Sequence, residues 1–254
     1  MSSLCHQYIP KRQMQEAIIL KKNIFSEGSE IITMYTREFG KLRAVARSVK
    51  SPKSHLAFGL QNLFYVEIDL HLSKKLSTVK GVRVLDAFKN IYGDSEKIVI
   101  ALYATEIILK STADEQANAP LFESYLQLLR HLNESNFKNH LCVDFFVLRA
   151  LALNGYALDY EHCALCGREL TESEEVCFSV RKGGFICGQD VDKTTDAQSL
   201  AHQSYLALRQ HQASDFAVID ALGIDSGELH KLVKSFATYI LERNLNSPEY
   251  LGKI

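Results

Sequence analysis

Four cysteines within 25 residues are the side chains of this sequence best suited to hold a metal ion. Cys163 and Cys166 form a Cys-x-x-Cys pair, and Gly167 after them permits the tight turn of a zinc knuckle. The segment from Cys187 to Asp190 repeats that spacing but ends in an acid. Because no βαβ pattern surrounds the pair, the spacing favours a metal site over a redox disulfide.

Three thiolates leave one position of a tetrahedral zinc site to be filled. Asp190 has the spacing to fill it, and Cys177 or His162 could do so instead. The alternative is a metal-free hairpin whose cysteines are ordinary buried side chains. No general base for a metal-bound water stands nearby, so the pattern favours a structural metal over a catalytic one.

A second group of residues with possible chemistry is cationic. Between positions 37 and 53, six basic residues face a single acid, Glu38; they are Arg37, Lys41, Arg43, Arg47, Lys50 and Lys53. In the strand predicted there, alternation places Leu42, Ala44 and Ala46 on one face, and Lys41, Arg43, Val45 and Arg47 on the other. A cationic outer face suits a barrel wall that meets a polyanion, or a sheet kept soluble by its charge.

Charge also divides the whole chain. Residues 11–90 carry 15 Lys and Arg against 7 Asp and Glu, whereas residues 91–254 carry 14 against 23, so the net charge of −1 conceals two opposite parts. Such a division indicates two surfaces with different partners. No apolar run could span a bilayer and no signal-peptide pattern is present, so we expect a soluble, cytoplasmic protein.

The elements that position these residues follow from the apolar spacing. We predict an irregular segment up to Gln15 and a turn at 37–40, with strands at 17–20, 31–36, 42–49, 63–70 and 76–85. Five short strands fit a small barrel of the OB type or an SH3-like barrel. After Asp86 the spacing becomes helical, and we predict helices at 95–110, 120–132, 137–153, 199–212 and 227–244.

The third of these helices is apolar almost all round, which predicts the buried centre of a bundle. We therefore expect an α+β chain with a barrel domain at 1–85 and a helical domain at 86–254. The cysteine module is an insertion at 160–192. Gly40-Lys41 lacks the rest of a phosphate-binding loop, and no dinucleotide, zincin or nucleophile-elbow motif occurs, so we expect a protein that is not an enzyme.

The order of these features resembles the RecO family of bacterial recombination and repair mediators. The resemblance is carried by Ala17-Ile18-Ile19-Leu20, Glu27-Gly28-Ser29-Glu30, the segment from Tyr35 to Leu42, Ala44-Val45-Ala46-Arg47, Asn154-Gly155-Tyr156, Cys163-x-x-Cys166-Gly167, Phe178-Ser179, Gly183-Gly184, Cys187 and the segment from Asn246 to Leu251. It covers nearly the whole chain. The sequence departs from the family's fuller pattern at Asp190, where the family has a fourth cysteine.

The resemblance implies an N-terminal OB-fold barrel, a helical domain and a zinc-ribbon-like insertion that binds Zn²⁺. It also implies binding of single- and double-stranded DNA, strand annealing, and help in loading RecA onto strands coated with single-strand-binding protein (SSB), together with RecR in the RecF pathway. It places the protein at the nucleoid. The implied DNA contacts are Arg37, Lys41, Arg43, Arg47, Lys50 and Lys53. Four aromatic residues are candidates for base stacking or for the core: Tyr35, Phe39, Phe58 and Tyr65.

Two other functions fit the same residues. A zinc-containing adaptor for protein interactions would have a basic barrel with little DNA affinity, and its acidic helices would hold a protein partner. A metal hydrolase would need an open zinc position and a general base. Salt-dependent DNA binding separates the repair mediator from the adaptor.

Overall fold

The computed structural model describes residues 12–49, 54–73, 75–136, 140–224, 226–242 and 245. The chain divides into two compact units. The first comprises Met1–Ala87 and Ala113–Phe122, and the second comprises Phe88–Thr112 and Glu123–Ile254. The sequence places residues 113–122 in the helical domain, whereas the structure groups them with the first unit.

The first unit is a closed barrel of five strands, as the alternation predicts. The strands are β1 (Arg12–Ser26), β2 (Ser29–Thr36), β3 (Gly40–Ala46), β4 (Tyr65–His71) and β5 (Ser77–Asp86). Their order is β1-β2-β3-β5-β4, and β4 closes the barrel by pairing antiparallel with β1. Strands β3 and β5 pair in parallel. A short helix, α1 (His55–Gly59), lies between β3 and β4 in the chain.

Strand β1 is longer than the sequence predicts. The prediction of an irregular segment up to Gln15 is wrong for residues 12–15, because these residues pair with β4 and Gln15 lies opposite Ile68. The second half of β1 pairs with β2, and register shifts in that pairing, the first between Ile19 and Lys21, let the strand bend from one neighbour to the other. The polar residues at its start conceal the strand from an apolar pattern, although Gln15 itself is buried.

Strand β3 turns its small apolar side chains into the barrel. Leu42, Ala44 and Ala46 belong to the buried core, as the alternation predicts. Val45, which the alternation places on the outer face with the cations, is buried as well, so that face of the strand is covered at this position. The strand ends at Ala46, three residues before the predicted end, where the chain leaves the pairing with β2.

The other helices are α2 (Lys89–Tyr92), α3 (Ser95–Ser111), α4 (Ala119–Glu134), α5 (Leu141–Leu153), α6 (His202–Gln210), α7 (Phe216–Asp220) and α8 (Ser226–Leu241). Helix α5 is buried on almost every side and packs against α3, α7 and α8, which confirms its prediction as the centre of a bundle. The first residues predicted for it, 137–139, lie outside the described residues. Within the described ranges, no helix has both the length and the apolar character needed to cross a bilayer.

The cysteine module contains a small sheet of three short strands. They are β6 (Val176–Ser179), β7 (Gly184–Cys187) and β8 (Ala197–Ser199), ordered β7-β6-β8 and antiparallel throughout. The ring of Phe185 lies 5.1 Å from that of Tyr205 on α6, and the ring of Phe178 lies 5.6 Å from that of Phe236 on α8. These buried aromatic contacts fix the sheet against the helices of the second unit.

Candidate metal centre and cationic barrel face

The first part of the cysteine cluster is a tight turn. Gly167 has φ +72°, in the left-handed region that glycine adopts without strain, and its N–H donates to the carbonyl of Cys163 at 2.9 Å. This closes the turn that carries Cys163 and Cys166. The N–H of Ala164 donates to the carbonyl of Phe185 at 2.8 Å and so holds the turn against β7.

The second part of the cluster lies at the end of β7. Cys187 is the last residue of the strand, and the N–H of Asp190 donates to its carbonyl at 3.0 Å, so both side chains leave one turn. The N–H of Cys187 donates to the Sγ atom of Cys163 at 3.4 Å. This hydrogen bond joins the two parts.

Together the two turns bring four potential ligands into one cluster. The ligand atoms of Cys163, Cys166, Cys187 and Asp190 lie within 4.8 Å of one another. The Sγ atoms of Cys166 and Cys187 are 3.9 Å apart, and the Oδ2 atom of Asp190 lies 3.7 Å from the sulfur of Cys163 and 3.4 Å from that of Cys187. A tetrahedral zinc site with metal–sulfur bonds of about 2.3 Å needs separations of about 3.8 Å between sulfurs, so the donor set fits a metal ion.

Hydrogen bonds within the cluster favour charge on some of its members. The pKa of Asp190 lies below its usual range because Cys166 and then Lys193 donate to its carboxylate, and the same contact raises the pKa of Cys166 to about 11. Burial opposes ionisation of Cys163, but the backbone N–H groups of Cys166 and Cys187 outweigh it and lower the pKa of that thiol. The lowered pKa values of the Asp190 carboxyl and the Cys163 thiol therefore favour the anionic forms that a cation binds.

Two cations flank the cluster. Lys193 forms an ion pair with the Oδ1 atom of Asp190. The residue Asp190 is only 3 % exposed. Arg168 forms an ion pair with Glu174, and its pKa is raised first by that partner and then by Cys187. The sequence did not single out either cation, because neither has a metal-ligand side chain.

The two other candidates for the fourth position lie outside the cluster. Cys177 is in the middle of the small sheet, where it pairs with Ile186 on one side and Ser199 on the other. His162 directs its Nδ1 atom to the carboxylate of Asp159 at 3.0 Å. Among the described residues, Asp190 is thus the side chain that completes the group of three cysteines.

The cationic residues of the barrel differ in what they contact. Arg43 is 61 % exposed, and its Nη2 atom lies 2.9 Å from the Oδ2 atom of Asp114; Lys41 is 11 % exposed, and its Nζ atom lies 3.5 Å from Oδ1 of the same carboxylate. Arg47 follows the end of β3 and is exposed, and no described residue forms an ion pair with it. Lys50 and Lys53 lie outside the described residues.

The partners of Arg37 within the first unit include an acid and an aromatic ring. Its Nε atom lies 3.0 Å from the Oε2 atom of Glu16, and its guanidinium carbon lies 5.5 Å from the centre of the Phe122 ring. The sequence did not predict Glu16 or Asp114 as partners of the cationic residues. Both acids are distant from β3 in the chain, and only the closed barrel and the segment 113–122 bring them to the cations.

The four aromatic candidates for base stacking differ in their exposure to solvent. Tyr35 and Tyr65 are buried, and each lies within 6.4 Å of Phe122, measured between ring centres. Phe39 is partly buried against the barrel core. Phe58 on α1 is 72 % exposed and is the candidate whose ring solvent reaches most freely.

Comparisons with known proteins agree with both halves of this architecture. A family model described as Recombination protein O N terminal matches residues 12–88, and one described as Recombination protein O C terminal matches residues 92–249. A DNA repair protein RecO of Nocardioides sp. is 29 % identical over 94 % of this chain and 98 % of its own length. Proteins of the same name from Dehalococcoides mccartyi (28 %, 90 % of both chains) and Bacillus mycoides (30 %, 71 % of both chains) are similar.

Proposed function

We propose that this chain, which belongs to the RecO family of DNA repair proteins, is a non-enzymatic mediator that binds DNA on its barrel. By the resemblance to the family it would bind single and double strands and anneal them. It would act with RecR to load RecA onto strands coated with SSB, in the bacterial cytoplasm at the nucleoid. Membership of this family supports a role in DNA repair.

The barrel supports an OB-fold assignment. Its closed order β1-β2-β3-β5-β4, with β3 and β5 in parallel, is a five-stranded arrangement in which the first three strands run as a meander. OB folds bind oligonucleotides with the face of their second and third strands. Of the cationic residues proposed to contact DNA, the described ones, Arg37, Lys41, Arg43 and Arg47, lie on or beside the third strand.

One observation carries the DNA-binding proposal. Arg43 projects from β3 opposite to the buried Leu42 and Ala44, and the exposed Arg47 follows directly after the strand. Guanidinium groups placed this way can pair with backbone phosphates and release counterions without reading bases. Phe58, the most exposed of the four aromatic candidates, is the proposed stacking platform for a base.

We assign the cysteine cluster a structural zinc ion. Three thiols and a buried carboxylate form a donor set suited to zinc, with Cys163, Cys166, Cys187 and Asp190 as the ligands. When bound, the ion would tie the turn after Cys163 to the end of β7 and so stabilise the small sheet. With this ion bound, the insertion would be a zinc-ribbon-like module without the family's fourth cysteine.

The adaptor hypothesis keeps one observation in its favour. Arg37, Lys41 and Arg43 already have carboxylate partners, as expected for a barrel whose charges serve only its own surface. The exposed pairs of Arg37 and Arg43 contribute only about 0–1 kcal/mol each, so a polyanion can replace their carboxylate partners. The two functions therefore differ in one measurable property, which is DNA affinity.

The test is fluorescence anisotropy of a labelled single-stranded oligonucleotide over a series of salt concentrations. We expect the parent protein to lose affinity steeply with salt, and the Arg43→Glu/Arg47→Glu variant to bind at least about tenfold more weakly at low salt. Removal of two phosphate contacts should also flatten the slope of log K against log salt by about 1.4. The same variant should anneal complementary strands more slowly.

The matched control is Lys80→Glu/Arg83→Glu, which reverses the same number of charges on β5. Arg83 is exposed to about the same degree as Arg43 and is likewise paired with an acid, Glu67, at 2.9 Å. We expect a much smaller loss in this control. Equal losses of DNA affinity in the two variants would show that net charge alone causes the effect. A parent protein that does not bind DNA at low salt would favour the adaptor.

A further inference from the structure

The outer side of β3 borders a cleft of about 250 Å³ within the first unit. Three cations line it: Lys41, Arg43 and Lys75. Ser73 and Ser77, which precede and begin β5, contribute polar groups to its wall. Cations and hydroxyl groups around a small cleft are the donors that a phosphate group requires.

Two acids from a distant part of the chain, Asp114 and Glu115, also line this cleft. Asp114 makes a bridge with Lys41 of the kind that joins parallel strands, and the N–H of Glu115 donates to the carbonyl of Lys41 at 2.9 Å. Gly40 allows this approach, because a Cβ atom there would lie 1.9 Å from the carbonyl oxygen of Gln116. The backbone thus fixes Asp114 over the cationic strand independently of its side chain.

The carboxylate of Asp114 holds both cations at once. Its two oxygens lie 2.9 Å from Arg43 and 3.5 Å from Lys41, the arrangement that two oxygens of one phosphate would adopt between the same donors. Asp114 is nevertheless 46 % exposed, and solvent reaches Arg43. An ion pair so exposed is weak enough to exchange with a stronger anion.

We infer that this cleft is a binding site for one backbone phosphate and that Asp114 competes for the same cations, which lowers the affinity for DNA. The inference rests on the proposed function, since it takes the DNA to lie along β3. Lys41 is mostly buried and lines the cleft, where Asp114 contacts it, so a phosphate in the cleft would compete with Asp114 for this cation. The acid would keep binding weak enough for the strand to be released.

The test is Asp114→Asn, which keeps the size of the side chain and its backbone contacts. By anisotropy with the single-stranded oligonucleotide, we expect binding to tighten about three- to tenfold at low salt, as removal of one competing charge near a surface allows. One additional phosphate contact should steepen the slope of log K against log salt by about 0.7. The control is Glu67→Gln, which removes an acid paired with Arg83 elsewhere on the barrel and should change the dissociation constant less than about twofold.

The same substitution in a background without the two cations separates local competition from net charge. In the Lys41→Ala/Arg43→Ala background, the additional Asp114→Asn change should have no effect on affinity. The inference is overturned if Asp114→Asn leaves affinity and slope unchanged, if Glu67→Gln tightens binding equally, or if the gain persists without the two cations.

A second readout does not depend on DNA binding. Pyrophosphate is titrated into the parent and the Asp114→Asn protein while the side-chain Nε–H resonance of Arg43 is followed by NMR. We expect a saturable shift at lower pyrophosphate concentration in the variant. If the parent fails to bind DNA but this shift occurs, the proposed function fails and the anion site stands; if neither protein shows the shift, the anion site fails.

Discussion

The cysteine cluster gathers its charged and polar side chains at one point, whereas the cationic strand of the barrel spreads them along a surface. In the cluster, three thiols and the buried carboxylate of Asp190 converge on one point, with Lys193 and Arg168 at the edge. On β3 the cations are spread along a surface, and single acids pair with them. Donor atoms that converge on one point suit a fixed counter-ion, whereas cations spread along a surface need only an exchangeable one.

This difference predicts that the cluster acts mainly on stability and that the cationic strand acts mainly on binding. A fixed counter-ion contributes to the folding free energy and binds once. An exchangeable counter-ion contributes little to stability, but its replacement by a polyanion releases salt ions and gives reversible binding. Changes in the cluster should therefore alter stability, and changes on β3 should alter DNA affinity.

The largest effect is expected from Cys163→Ser. Loss of a ligand should abolish stoichiometric zinc and lower the free energy of unfolding by about 4 kcal/mol or more, as for other losses of a structural metal. Zinc content by mass spectrometry and urea unfolding measure the two effects. Cys177→Ser is the matched control, because Cys177 lies in the same sheet but outside the cluster, and it should keep its metal. Equal metal loss in both variants would contradict the assigned ligand set.

A smaller loss of stability is expected on the barrel from Gly40→Ala. Gly40 has φ +67°, and an added Cβ would meet the backbone of Gln116, so the segment carrying Asp114 must shift. We expect destabilisation of about 2–4 kcal/mol by urea unfolding. Gly28→Ala is the control: Gly28 also has a positive φ, but its Cβ would contact nothing within 4 Å, so the cost should be about 1–2 kcal/mol. Equal costs would show that the segment does not constrain Gly40.

The smallest effect concerns Asp196, an acid of the cysteine module that lies outside the cluster. Burial opposes its ionisation, but the N–H of Arg181 and the hydroxyls of Thr194 and Ser179 outweigh it and lower its pKa to about 2. Because the folded-state pKa lies below the ordinary value of 3.8, its stabilisation is present above pH 4 and is lost as the pH falls toward 2.

Asp196→Asn checks this directly. The difference in the free energy of unfolding between parent and variant should be constant above about pH 5 and shrink between pH 4 and 2. Acid also protonates thiolates, so the comparison is repeated in the Cys163→Ser background, where no metal contributes. If the difference in the free energy of unfolding does not change with pH in that background, the titration of Asp196 does not contribute to stability.

Local spacing made the cluster predictable. Cys163, Cys166, Cys187 and Asp190 were all chosen from two short segments, because the turns that position them are set within three or four residues. The strands of the barrel followed from alternation for the same reason. The three-stranded sheet around the cluster was not predicted, since strands of three or four residues carry too little periodicity.

What depends on distant segments was not predictable. Asp114 reaches Lys41 and Arg43 from more than seventy positions away, so no window of sequence contains the pairing. Strand β1 begins with polar residues whose pairing with β4 spans more than fifty positions. The cations were thus identified by residue type, but their partners, and hence their availability to DNA, required the fold.

The most direct test of the whole account measures DNA affinity in Cys163→Ser and Arg43→Glu/Arg47→Glu side by side, at a temperature where both are folded. Single-stranded oligonucleotide anisotropy at low salt should find the cysteine variant within about twofold of the parent and the arginine variant weaker by at least about tenfold. If instead the cysteine variant loses DNA binding and the arginine variant keeps it, DNA contact belongs to the metal module and the division between the two regions is contradicted.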